Sequence, residues 1–298
     1  MNKLIQPLPL SAEQLKDMLN KVIFSDESSP NNRKIAEYIL VHYRSIAFMT
    51  ASEIADKAGV SQPSVTRFVT NSLGFKGFSQ FLKTVQDIIR NEVTGVERYH
   101  ISGKTKSNLE ILIGQEIENL NNLVEYTSEE KLLQIAARIA NMKTVFIIGF
   151  RTGAPLANYF YFFLRKIHPD VRVCTSGGSD VYDMLHHMDR ESTLILPFIF
   201  PRYPREMIDV IQYLKQEKFN FVTITDSYTL QAEGICECDI VTPIIITTFT
   251  TLFDSYTSSY CILNILLDMI GRTDLDRTKD MLSSVEEMYQ RNRVFFRR

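Results

Sequence analysis

The chain has 298 residues, of which 45% are hydrophobic and 23% charged. That is enough for one large or two ordinary soluble domains with a sizeable core, and it excludes a chain built mainly of membrane spans or low-complexity tracts. The net charge of −2 excludes no partner class, but it is unevenly distributed. Residues 1–106 hold 14 Lys and Arg against 10 Asp and Glu, whereas residues 107–298 hold 19 against 25. A basic first third beside an acidic remainder is the footprint of a protein in which one domain meets a polyanion, although solvated faces can produce the same imbalance.

Residues 1–10 carry one Lys, two Pro and no long apolar run, which does not read as a targeting segment. The apolar stretch 251–270 is interrupted by Asp254, Asn264 and Asp268 and reads as a packed helix rather than a membrane span. Both readings predict a cytoplasmic protein. Of the four cysteines, Cys236 and Cys238 form a C-x-C pair with no second pair to complete a zinc set. They read as reduced structural cysteines, with no metal and no cofactor expected.

In chain order, the first helix is predicted over 11–24, capped by Ser11, with Leu15, Met18, Leu19 and Val22 on one face. Residues 25–32, rich in Ser, Asp, Asn and Pro, read as a loop and hinge after this N-terminal arm. From residue 32 to about 91 the pattern is helical and punctuated by glycine. Residues 93–107 are polar, contain Gly95 and Gly103, and read as a linker. The expected division is therefore a helical domain over 1–92, the linker, and a second domain over 108–298. The second domain opens with helices over 109–126 and 128–141.

The period then changes. Short β-rich runs at 145–148, 171–173, 194–196, 221–224 and 240–241 alternate with helical stretches at 152–167, 178–188 and 205–218. Helices over 249–270 and 276–292 close the chain. Short buried strands alternating with helices predict a doubly wound, parallel, five-stranded α/β sandwich. The fold class expected for the whole chain is thus α followed by α/β.

Residues 49–78 carry the most information. Thr50 or Ser52 can cap a helix, with Glu53 answering Thr50 in a capping box. Ile54, Ala55 and Ala58 face inward, Gly59 ends the helix, and Val60 plugs the core. Ser61 caps a second helix with Pro63 in its first turn, and Val65, Phe68 and Val69 form its buried stripe. This leaves Gln62, Ser64, Thr66, Arg67, Thr70 and Asn71 on or near the outer face. Such side chains pair with base edges and phosphates in a major groove, and Lys57, Lys76 and Lys83 can neutralise phosphates around it. The competing reading is a helical hairpin that only packs or oligomerises.

Three segments carry a resemblance: 32–40 (NRKIAEYIL), 47–68 (AFMTASEIADKAGVSQPSVTRF) and 73–78 (LGFKGF). Together they resemble the N-terminal domain of RpiR-type bacterial regulators. The resemblance implies a C-terminal sugar-isomerase-like (SIS) domain that binds phosphosugars. The strand–loop–helix 145–157 is similar to the first phosphate loop of that domain, with Gly149 turning the backbone and Arg151 and Thr152 beside the opening of the next helix. The family usually places Ser where Thr152 stands. The second SIS landmark, a Ser-rich loop, is replaced here by Phe200-Pro201-Arg202-Tyr203-Pro204-Arg205-Glu206, and only Glu206 matches. Arg202 and Arg205, with Arg151, can clamp a carboxylate or phosphate; alternatively they pair with acidic surface or bridge protomers. A third landmark, 224–230 (ITDSYTL), places Asp226 and Ser227 at a strand's carboxyl end, where ligands bind in such sheets. The hydroxyl-rich stretch 247–259 can cap the final helix and reach the pocket.

These readings converge on a DNA-binding regulator without enzymatic activity. Its partners are expected to be operator DNA, a small anionic metabolite (a phosphosugar or sugar acid), and a second copy of the chain in a homodimer or tetramer. The alternative is a sugar-phosphate isomerase with a helical oligomerisation domain. That reading needs a base such as Glu206, His186 or His187.

Overall fold

A computed structural model of the chain describes residues 11–47, 49–90, 96, 99, 109–242 and 253–296. These fall into two compact units, residues 11–90 and residues 110–242 with 254–296. The linker expected over 93–107 lies almost wholly outside the described residues.

The first unit is helical: α1 (Ala12–Phe24), α2 (Pro30–Ile46), α3 (Ala51–Ala58), α4 (Gln62–Arg67) continuing into a π-turn (Phe68–Ser72), and α5 (Phe78–Arg90). Ser11 and Gln14 close a capping box on α1: the Gln14 N–H donates to the Ser11 hydroxyl at 3.1 Å and the Ser11 N–H to Gln14 Oε1 at 2.9 Å. Leu15 and Leu19 are buried in the core that α1 shares with Ile35, Ile39, Ile54, Val65, Phe68, Phe81 and Val85. Met18 and Val22 pack at its edge. The predicted hinge over 25–32 is therefore corrected. Ser29 caps α2, Pro30 opens it, and Arg33 Nη2 donates to Ser25 O at 2.7 Å, so the turn is short and the arm is part of the domain.

The second unit begins with α6 (Leu109–Tyr126) and α7 (Glu129–Asn141). It alternates through β1 (Thr144–Gly149), α8 (Gly153–Leu164), β2 (Val171–Cys174), α9 (Asp180–His186), β3 (Thr193–Phe198) and α10 (Arg205–Gln216). It closes with β4 (Asn220–Phe221), β5 (Ile224–Thr225), α11 (Thr229–Ala232), β6 (Ile240–Val241), α12 (Thr257–Thr273) and α13 (Leu275–Arg291). The sheet is parallel, in order β2-β1-β3-β5-β6, with β4 pairing with β3 beside that path.

Strand alternation sorts the core into two layers. Val145, Ile147, Leu194 and Leu196 face α7, α8 and α12, whereas Phe146, Ile148 and Ile195 face α9 and α10. The strand predicted over 221–224 is split in two. The Thr223 N–H donates to Asp239 Oδ2 at 3.0 Å, so a side chain replaces a ladder partner between β4 and β5. The helix predicted over 249–270 starts later than expected. Residues 249–252 lie outside the described residues, 253–256 are not helical, and the Thr257 N–H donates to the Ser255 hydroxyl at 3.3 Å just as α12 begins.

His168, 1% exposed, joins the entrances of β1 and β2. Its Nε2–H donates to Met142 O at 3.0 Å and its Nδ1 accepts the Asp170 N–H at 3.3 Å, so the ring is neutral. Burial first, and the nearby Arg277 charge after it, hold its pKa below the usual histidine value. The unfolded chain therefore takes up the proton first as pH falls. The stability this residue supplies is complete above about pH 6.5 and is lost as pH drops from there toward the depressed folded pKa. Thermal denaturation between pH 7.5 and 5 is expected to show a steeper fall for the parent than for His168→Gln, and equal slopes would contradict this role.

Candidate functional site

Two sites can be built from these residues, one in each unit. In the helical unit, Thr50 and Glu53 form the expected capping box. The Thr50 N–H donates to Glu53 Oε2 at 2.7 Å and the Glu53 N–H to Thr50 Oγ1 at 3.2 Å. The Thr50 N–H and hydroxyl hold the Glu53 carboxyl below its ordinary pKa. Gly59 sits at φ +66°, a left-handed conformation that suits glycine, and the Val60 N–H returns to Ala55 O at 3.0 Å. Val60 is half-buried against the core.

Ser61 occupies the cap position of α4 with extended backbone, but its hydroxyl meets Ser64 Oγ at 2.8 Å rather than a helix N–H. Pro63 in the first turn needs no N–H partner there. Val65, Phe68 and Val69 are buried as expected. Gln62, Arg67, Asn71 and Lys76 are exposed, while Ser64, Thr66 and Thr70 are half-buried. The Thr70 hydroxyl turns back onto Thr66 O and Arg67 O, both at 3.2 Å. This leaves Gln62, Arg67 and Asn71 as the protruding hydrogen-bonding groups of the segment. Its far end is anchored by Asn32 Nδ2 donating to Ser72 Oγ at 3.2 Å. No residue pattern signals the π-turn, which ends with the Leu73 N–H on Phe68 O at 3.2 Å.

In the α/β unit all strands run parallel, so their carboxyl ends share one edge. The chain leaves β1 toward β2 on one side and returns to β3 on the other, which makes the gap between the β1 and β3 loops the topological switch point. There the Thr152 hydroxyl donates to Pro201 O at 3.4 Å. A Cβ on Gly149 would lie 2.6 Å from Gly153 O, and one on Gly153 would lie 2.6 Å from Phe198 O. The two glycines thus let α8 seat against β1 and β3. Arg151, at φ +50°, and Arg202 are both exposed at this edge.

The other predicted residues are engaged with protein neighbours. Arg205 pairs with Asp209 one turn along α10, at 3.0 Å with 84% of its side chain exposed, so it lies along the helix instead of turning toward Arg202. The Glu206 carboxylate accepts the Gly178 N–H. Asp226 is 2% exposed and accepts the Tyr203 hydroxyl at 3.0 Å; Ser227 Oγ lies 3.0 Å from the same hydroxyl and 2.9 Å from Thr229 Oγ1. Tyr203, Gly153, Gly177 and Gly178 were not among the expected site residues. The double glycine following β2 was the available signal, because it marks a tight turn at the edge where ligands bind.

The helix-turn-helix domain of the rpiR family matches residues 17–92, and the SIS domain matches residues 138–269. The chain's N-terminal domain is that of the rpiR family. A helix-turn-helix and a SIS domain in tandem are thus its basic organisation. Among relatives, the chain is similar to the uncharacterized HTH-type transcriptional regulator YfhH of Escherichia coli K12, 24% identical over 148 residues that span 46% of this chain and 50% of that one. Among solved structures, the sugar isomerase domain of an RpiR transcription factor from Sphaerobacter thermophilus superposes with a TM-score of 0.55 at 20% identity, covering 61% of this chain and 99% of that one. The Vibrio vulnificus NanR protein complexed with ManNAc-6P gives 0.50 at 14% identity, covering 92% and 98%. At such identities the likeness is one of fold.

Proposed function

We propose that this protein is a transcriptional regulator that reads operator DNA with the segment 62–72 and senses a small anionic carbohydrate derivative at the carboxyl edge of its sheet. The single observation that supports the sensing half is the topological switch point, where Arg151 and Arg202 are exposed on the two loops that the Thr152 hydroxyl joins through Pro201 O. In this reading Arg151 and Arg202 take the anionic group, the Thr152 hydroxyl oxygen lies beside them, and Gly149 shapes the turn. Arg205, Glu206, Asp226 and Ser227 act behind them through their protein partners.

The reading assigns no catalysis. Glu206, the acid–base candidate, has its carboxylate on the Gly178 N–H. His186 and His187 end α9, which runs back to the amino edge of the sheet, away from the gap. The domain boundaries we infer are 1–92, 93–107 and 108–298, with the second domain also pairing protomers into a homodimer or tetramer. Among the described residues no helix is long and apolar enough to cross a membrane, and we place the protein with DNA in the cytoplasm.

A thermal-shift series with ManNAc-6P, other phosphosugars, sugar acids and simple carboxylates tests the sensing half. At least one anionic sugar is expected to raise the melting temperature, and a 100-fold excess over Kd corresponds to about 2.7 kcal/mol. Arg151→Ala with Arg202→Ala is expected to abolish that shift. A shift that survives the double substitution would place the ligand elsewhere.

A further inference from the structure

The β3 loop and the first turn of α10 reach two neighbours. Tyr203 donates to Asp226 beyond β5. In the other direction, Glu206 reaches over the end of β1 to the turn after β2. That turn, Thr175-Ser176-Gly177-Gly178-Ser179, is built for this contact. Gly178 has φ +101°, which excludes most side chains. A Cβ on Gly177 would take the place of the Glu206 carboxylate and push it aside. From below, Cys174 Sγ donates to Ser176 O at 3.2 Å. Ser179, at the cap position of α9, makes no side-chain cap bond, and Glu206 accepts the N–H of the residue just before it. Burial raises the pKa of both Cys174 and Tyr182, and the Glu206 charge adds to each, as expected for a carboxylate set among them.

We infer that Glu206 is a positioning residue: its side-chain oxygen latches the 175–179 turn to α10 as a hydrogen-bond acceptor and fixes one wall of the switch-point edge. Glu206 then touches neither the ligand nor a transferred proton. An amide oxygen serves the latch as well as a carboxylate does, whereas loss of the oxygen, or a methyl group at Gly177, opens it.

The test is hydrogen–deuterium exchange of the 175–182 backbone in the full chain without ligand, on the parent, Glu206→Gln, Glu206→Ala, Gly177→Ala and the Gly177→Ala/Glu206→Ala double variant. Glu206 is exposed, so its substitution leaves the core intact, and melting temperatures check this. Glu206→Gln is expected to match the parent within about twofold, while Glu206→Ala exchanges roughly tenfold faster at Gly178 and Ser179, the loss of one hydrogen bond. Gly177→Ala is expected to do the same, with no further increase in the double variant. Unchanged exchange in Glu206→Ala, or a Glu206→Gln variant as fast as Glu206→Ala, would overturn the latch. Because the readout needs no ligand, its failure is separable from failure of the sensing assignment.

Discussion

Gly153→Ala is expected to destabilise the α/β unit by roughly 1–3 kcal/mol, the overpacking range, and toward its upper end. The new Cβ would lie 2.6 Å from Phe198 O and 3.4 Å from Phe198 Cβ. Neither side can retreat freely. Phe198 closes β3 and pairs with Gly149 on one side and Ile224 on the other, so moving its carbonyl opens the sheet at its centre. Gly153 opens α8, whose Leu156, Ala157 and Phe160 are locked in the core. Gly149→Ala meets the same obstruction from below, 2.7 Å from Ala157 Cβ. A useful control is Gly114→Ala in α6, where a Cβ meets nothing within 4 Å and helix propensity alone favours alanine by about 1 kcal/mol. Thermal denaturation should show a drop of several degrees for Gly153→Ala and none for Gly114→Ala. Equal melting temperatures for Gly153→Ala and the parent would mean that the α8–β3 approach is looser than described.

Arg67→Ala is expected to weaken specific operator binding by about tenfold to a hundredfold, the range for one base-reading arginine. Arg67 ends α4, is exposed, and stands beyond a buried stripe that fixes the helix from behind. Lys76→Ala should behave differently. It lies past the recognition segment, where its N–H donates to Gln80 Oε1 at 2.7 Å and its side chain is exposed. Its removal is expected to weaken all duplexes alike and to lower the salt slope by about one. Anisotropy titrations at several salt concentrations separate the two effects. If Arg67→Ala weakened specific and scrambled duplexes equally, Arg67 would be a phosphate contact rather than a base reader.

The helical unit was legible in the sequence because its signals are local. Thr50 with Glu53, Gly59 and Pro63 each state their structural role within a few residues, and each holds that role in the structure. Ser61 is the exception: a hydroxyl three residues on, Ser64, competes for it. The alternation of strands and helices was legible for the same reason, and it missed the break where the Asp239 side chain, 16 residues from Thr223, interrupts β4 and β5. The ligand edge was less legible. Glu206 meets Gly178 across 28 residues and Tyr203 meets Asp226 across 23, pairings created by strand order alone. A motif reading places Glu206, Asp226 and Ser227 at the edge but cannot see that other side chains and backbone groups already hold them. It also joined Arg205 to the arginine clamp, whereas Asp209, one turn along the same helix, draws it away.

Specific DNA binding governed by a small anion is the centre of this account. The direct measurement is the affinity of the full chain for a duplex selected from random sequence, against a scrambled duplex, with and without each member of the phosphosugar and sugar-acid series. The account predicts tighter binding to the selected duplex by about a thousandfold or more, a linear fall of log affinity with log salt concentration, and a shift of roughly fivefold to 150-fold on adding one anionic sugar. Equal affinity for both duplexes, or an operator affinity unmoved by every member of the series at saturation, would contradict it.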